Sequence, residues 1–417
     1  MSTLNRLITK NPISPLFFAS IIAYLQGSFV AMWPGWAKLI LALGIYLSLF
    51  CIPYSYIRRN KLDFNKLVFV CYCILFLMVG MSLYNGLAFP KFNAGNKYIT
   101  LFFNQTCLPL LFPPIFAFCA TIGNVQRLIK YSKWTIYILI IYTLFIAGFG
   151  LSNCVLWVGV FYPFFSKRNK CFFIVALLAV LYIGIVGVAG TRKYLILLSF
   201  VLLYITMNIL NLKDKLYQYL GIILLCGTIF FAFNMIRSID NQDEPFLGML
   251  MSNIDSDKIS KGDTRTFLYI ETITDLIQTN TLWLGKGAYS YIYSPYFEFS
   301  GADSSKRLSI EVPFLMMMQR AGIIYTFIYL LIILLGIRNS LFHSNNSFLR
   351  TVAIMQIGYL FLFFIGDISG CSFFHLGFWV LTGCTLSRKW LYMTDHEIEN
   401  IGFNGKRNKS FNYSTNL

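Results

Sequence analysis

The chain has 417 residues, of which 57% are hydrophobic and only 12% charged, with a formal net charge of +17. A soluble domain carries about 25% charged residues, so this composition excludes an ordinary soluble fold. The positive charge falls in short clusters between apolar runs, which argues against a nucleic-acid surface and for the Lys/Arg bias of cytoplasmic membrane loops.

Runs of roughly 18 to 23 apolar residues recur along the whole chain, each long enough to cross ~30 Å of hydrocarbon as a helix. They lack the alternation of a β-barrel strand, and in lipid a helix satisfies its own backbone polar groups. The expectation is an all-α polytopic membrane protein of about twelve transmembrane helices, with one large periplasmic loop containing a short helix. In chain order the expected spans are 14–33, 38–57, 67–89, 99–121, 134–150, 153–166, 171–190, 194–211 and 217–236, then, after the loop 237–310, 311–336, 351–369 and 371–387. Residues 388–417 follow as a tail. The first run lacks a cleavage site of signal-peptide type and reads as a span.

Orientation follows from charge. Alternate connections carry Arg58/Arg59/Lys61/Lys66, Arg127/Lys130/Lys133, Lys167/Arg168/Lys170 and Lys213/Lys215, whereas the opposite short loops hold only Lys38, Lys91, Lys97, Arg192 and Lys193. Both termini are therefore expected in the cytoplasm and residues 237–310 outside. That loop holds ten of the 17 acidic residues. In its middle, Asp263 can cap a helix whose apolar residues Phe267, Ile270, Ile273 and Ile277 recur at helical spacing, and a turn at Gly285-Lys286-Gly287 follows. None of the ten cysteines lies in the loop, so no disulfide framework or zinc site is implied. They read as small packing residues.

No Walker loop, HExxH, dinucleotide fingerprint or GxSxG elbow is present, and no cofactor or metal is called for. Asp255-Ser256-Asp257 matches a metal-holding Asp-x-Asp pattern of nucleotide-sugar enzymes, but those substrates are cytoplasmic and this loop faces out. Arg192, in Gly190-Thr191-Arg192-Lys193, sits where positive charge is disfavoured; it either grips an anionic ligand with its guanidinium or snorkels at a span end. Lys193 beside it would add to an anion site. Arg265, at the start of the loop helix, either strengthens an anion site at a helix N-terminus or pairs with Asp263. Glu311 opens the tenth span; partial desolvation there suits a general base, and the alternative is an acid facing headgroups. Tyr289, Tyr291 and Tyr293 alternate along an extended segment, where they either stack on sugar rings or join an interfacial aromatic belt. Arg320 and Asp367, the charges deepest in the last spans, read as a structural ion pair. His375 reads as a packing residue near the outer face.

Three of these features together resemble the O-antigen and capsule polysaccharide polymerases and the related O-antigen ligases. They are the small-residue turn with arginine at 190–192, then Arg265 followed by Leu284-Gly285-Lys286-Gly287, and a segment into the next span where Glu311, Phe314, Leu315 and Gly322 keep the family spacing. Ligases carry histidine and asparagine where Glu311 and Val312 stand, which favours a polymerase. The resemblance covers residues 185–325. It implies an enzyme of the bacterial inner membrane in lipopolysaccharide biosynthesis or a related surface-polysaccharide route. Its substrate would be an undecaprenyl-pyrophosphate-linked oligosaccharide, and a chain-length regulator would be a further partner. Arg192 and Arg265 would neutralise the pyrophosphate and Glu311 would deprotonate the attacking sugar hydroxyl. A flippase for the same lipid-linked sugars and an O-antigen ligase are the alternatives.

Overall fold

A computed structural model describes residues 63–88, 113–145, 158–185, 198–203, 205–207, 214–237, 264–288, 290–293, 306–307, 310, 312–365 and 373–403. They form an all-α membrane protein with one two-stranded β-ribbon. The helices are α1 (Lys66–Ala88), α2 (Ile122–Phe145), α3 (Lys167–Ile185), α4 (Asp214–Arg237), α5 (Thr264–Gln278), α6 (Pro313–Phe342), α7 (Ser347–Ile365), α8 (Phe373–Leu386), α9 (Arg388–Tyr392) and α10 (Asp395–Phe403). Short 3-10 segments occupy Pro113–Cys119 and Gly159–Phe164. Among the described residues four helices are long and apolar enough to cross a membrane: Lys66–Gly86, Lys215–Asn234, Pro313–Phe342 and Ser347–Ile365. Leu198–Met207 and His375–Leu386 are shorter apolar helices.

α7 is the central helix, buried along nearly all of its length, whereas α4 is largely exposed. It packs on α6, α4 and α8, and α1 packs on α6. Small residues and polar pairs set these contacts, as membrane interiors require, because lipid gives helices no hydrophobic reason to associate. A Cβ on Gly383 would stand 2.1 Å from the Ala117 carbonyl oxygen, so α8 and the 3-10 segment meet backbone to backbone. The Gln356 amide donates to Thr382 Oγ1 at 3.0 Å, and the Tyr329 and Tyr359 hydroxyls share a 2.7 Å hydrogen bond. His375 is buried, its ring perpendicular to that of Tyr359 with centroids 6.2 Å apart. Large apolar side chains such as Leu77, Tyr182, Ile223 and Phe230 are exposed on α1, α3 and α4, the faces a bilayer would cover.

One end of the bundle gathers the starts of α1, α2, α3 and α4 with the turn between α6 and α7 and the helices α9 and α10. Ser387 Oγ donates to Asp63 at 2.6 Å, Trp390 Nε1 to the Ala120 carbonyl at 2.6 Å, and Gln126 Nε2 to the Ile401 carbonyl at 3.2 Å. Asn346 caps α7 through the Leu349 N–H and donates to the carbonyls of Trp390 and Met393. A capping box at Thr394 and Glu397 starts α10. The starts of these helices thus share one end, and residues 388–403, expected as part of a tail, fold back under it. Several expected boundaries move: α3 begins at Lys167 and α7 at Ser347, each four residues before the expected start, and the described part of the expected span 153–166 holds a short 3-10 segment at Gly159–Phe164, which a proline interrupts. α2 begins at Ile122, so Arg127, Lys130 and Lys133 ride on the helix instead of a loop before it. α6 runs on to Phe342, six residues past its expected end, and is interrupted at Gly322.

Candidate functional site

The interruption is the centre of the opposite end. Gly322 has φ 79° and ψ 178° inside an otherwise helical run, a conformation essentially reserved for glycine. A break in a membrane helix must have its freed backbone groups satisfied by other protein. Here the turn after α5 does so. The N–H groups of Ile323 and Ile324 donate to the carbonyls of Leu282 (2.9 Å) and Trp283 (3.5 Å). On the other side of the break, the Gln319 carbonyl accepts from Lys286 N–H at 2.7 Å and the Arg320 carbonyl from Ser82 Oγ at 2.6 Å.

Glycine is required on both surfaces. A Cβ on Gly322 would stand 2.1 Å from the Trp283 carbonyl oxygen, and one on Gly285 2.6 Å from Ala321 N. A Cβ on Gly287 would stand 2.2 Å from Gly86 N of α1. Gly285 and Gly287 also take positive φ, 73° and 99°, open to glycine without cost. The Ala288 N–H reaches the Ser82 carbonyl at 2.9 Å and Gln319 Nε2 the Ser290 carbonyl at 2.8 Å. The Leu284-Gly285-Lys286-Gly287 turn is therefore wedged between α1 and the break in α6.

α5 is fastened at both ends, to this wedge and to the α6 and α7 helices. Near its C-terminus, Asp275 forms a buried ion pair with Lys286. Near its start, Tyr269 donates to the Phe364 carbonyl at 2.8 Å and stacks on Phe314 with ring centroids 6.2 Å apart. Leu268, Tyr269, Thr272 and Leu276 are the buried stripe of α5. Val312, which follows Glu311 in the chain, is fully buried, as is Ile310 before it. α5 and the start of α6 are thus in direct contact through Tyr269 and Phe314.

Of the expected site residues, Arg192, Lys193, Tyr289, Glu311 and Asp367 lie outside the described residues, and Arg265 is placed by its backbone alone. The Arg320–Asp367 pair is accordingly undetermined, although Arg320 is fully buried. Tyr291 and Tyr293 do flank a buried Ile292 on an extended segment, paired antiparallel with Lys306 and Arg307. The Lys306 amine lies over the Tyr291 ring at 5.0 Å, so one face of that ring carries a lysine instead of a sugar; Tyr293 is exposed. Among the described residues no group of three or more His, Cys, Asp or Glu could hold a metal. Sequence reading missed Ser82, Asn85 and Gly86, although two polar residues and a glycine one turn apart in an apolar span are a detectable signal. The Asp275–Lys286 pair and the docking of the turn on Gly322 had no local signal.

No protein-family model, curated protein or solved structure matches the chain.

Proposed function

We propose that this chain is a polysaccharide polymerase of the bacterial inner membrane. It transfers a growing glycan from undecaprenyl pyrophosphate to the terminal sugar of another lipid-linked repeat unit at the periplasmic face. Both termini are cytoplasmic and the α5 end faces the periplasm. The observation that carries this reading is the junction itself. The Leu-Gly-x-Gly turn and the glycine of the following span, two separate parts of the sequence resemblance, interlock and hold α5 against α6.

Depth supports the reading as well. Gly322 to Phe342 covers about 30 Å at 1.5 Å per residue, and Lys66 to Ser82 about 24 Å. The junction therefore sits near the outer boundary of the hydrocarbon, where a pyrophosphate on a polyprenyl anchor is presented. In the transfer, a hydroxyl oxygen of the acceptor sugar attacks the anomeric carbon of the donor glycan. The bond from that carbon to the pyrophosphate oxygen breaks, its electron pair leaving with the phosphate. Glu311 takes the hydroxyl proton, and Arg192 and Arg265 neutralise the charge that develops on the leaving group. The energy resides in the activated lipid, so no nucleotide site is needed.

The test is complementation of a strain lacking the protein. Without it, acceptors carry a single repeat unit and the long-chain ladder is gone. Arg192→Ala, Arg265→Ala and Glu311→Ala should each lower polymer output about a hundredfold or more at normal membrane levels. Full ladders from all three variants would refute the site. Long polymer stranded on the lipid carrier would indicate a ligase, and single units held in the cytoplasm a flippase.

A further inference from the structure

The turn wedged into the α6 break carries a large apolar side chain that nothing in the proposed chemistry uses. Trp283 is 65% exposed, although its own carbonyl contacts the Gly322 backbone inside the protein. Its depth is fixed by that contact. Two residues beyond Ser82, which bonds the far side of the same break, Tyr84 of α1 is 73% exposed. Five residues beyond Gly322, Phe327 of α6 is 63% exposed. Both lie on helices long and apolar enough to cross a membrane, so their exposed rings meet lipid. The Trp283 backbone meets α6 at Gly322–Ile324, about one turn from Phe327 along that helix. On its N-terminal side the loop changes to polar residues, Thr279, Asn280 and Thr281, with the two threonine hydroxyls hydrogen-bonded to each other at 2.8 Å.

We infer that residues 279–284 of the long loop form a membrane-contact edge, with Trp283 inserted at the boundary between headgroups and acyl chains of the outer leaflet and the 279–281 tip in the headgroup layer. Indole prefers this boundary, where its ring is apolar-solvated and its N–H meets water or headgroups. The loop is thus not wholly periplasmic: its central turn lies on the bilayer, and its occupant is the lipid surface. This holds whether or not the chain transfers sugars.

The experiment incorporates 5-fluorotryptophan into the full chain in lipid nanodiscs. The Trp283 fluorine resonance is identified as the one missing from Trp283→Phe, with Trp283→Tyr as a second assignment if the first variant misfolds. A lipid carrying a nitroxide at the fifth acyl carbon should remove most of this signal. A nitroxide near the chain end, or a soluble gadolinium chelate, should remove much less. Stronger loss with the chelate would place Trp283 in water and overturn the inference. Insensitivity to all three probes would place it under protein, for example a second copy of the chain, and overturn it equally.

Discussion

At the scale of single residues, glycine decides where the α6 break falls. Gly80 of α1 and Gly322 of α6 both lie in apolar helical runs, but they differ physically. A Cβ on Gly80 meets nothing within 4 Å, whereas one on Gly322 meets the Trp283 carbonyl oxygen at 2.1 Å at a positive φ. Gly322→Ala should cost about 1–3 kcal/mol in backbone strain alone, with the steric overlap added. Gly80→Ala should be neutral or stabilise by about 0.5–1 kcal/mol. Thermal unfolding of the two purified variants in detergent checks this; a Gly322→Ala protein as stable as the parent would mean that the break is not held as described. The break was not legible locally because 313–342 reads as one apolar run. The groups that satisfy its backbone come from Leu282 and Trp283, some forty residues earlier. The Gly285–Gly287 turn was legible, because a Gly-x-Gly pair is rare in such a composition.

At the scale of elements, α5 is attached by few but strong contacts. Its Asp275–Lys286 pair is nearly buried, with side-chain exposures of 15% and 7%. Removing one partner of such a pair leaves a charge without compensation, at a cost of about 3–5 kcal/mol. Lys286→Met should therefore loosen α5 and expose it to proteolysis, and Asp275→Asn in the same chain should restore much of the loss. Equal protease resistance of parent and single variant would contradict the role given to the pair. Element boundaries were legible where charges bracket an apolar run, as at Lys66 for α1 and Lys215 for α4. They were not at α2, where Arg127, Lys130 and Lys133 belong to the helix. Their place is explained by the neighbouring α10, which offers its Ile401 carbonyl to Gln126. The return of 388–403 beneath the bundle was also hidden, since it depends on Asn346 and Asp63, which are remote in sequence.

At the scale of the whole molecule, two ends of different character follow from these parts. One is basic and closed by capped turns and the α9–α10 return. The other carries α5, the β-ribbon and the wedged turn around the α6 break. The Lys/Arg bias of the connections in the sequence puts the basic end in the cytoplasm in the orientation proposed here. Reporter fusions test it: green fluorescent protein joined after Phe403 should fluoresce, and alkaline phosphatase inserted at Asn280 should be active. The reverse pattern would invert the molecule and remove the proposed site from the periplasm.

The central claim is glycosyl transfer between lipid-linked units, and reconstitution tests it most directly. The purified chain is placed in liposomes with undecaprenyl-pyrophosphate-linked repeat units from its own source, and the products are resolved by length. The account predicts a ladder of extended glycans with stoichiometric release of undecaprenyl pyrophosphate, lost in Glu311→Gln and retained in Gly80→Ala. Folded protein that leaves every unit single, or a Glu311→Gln variant that still builds the ladder, would contradict it.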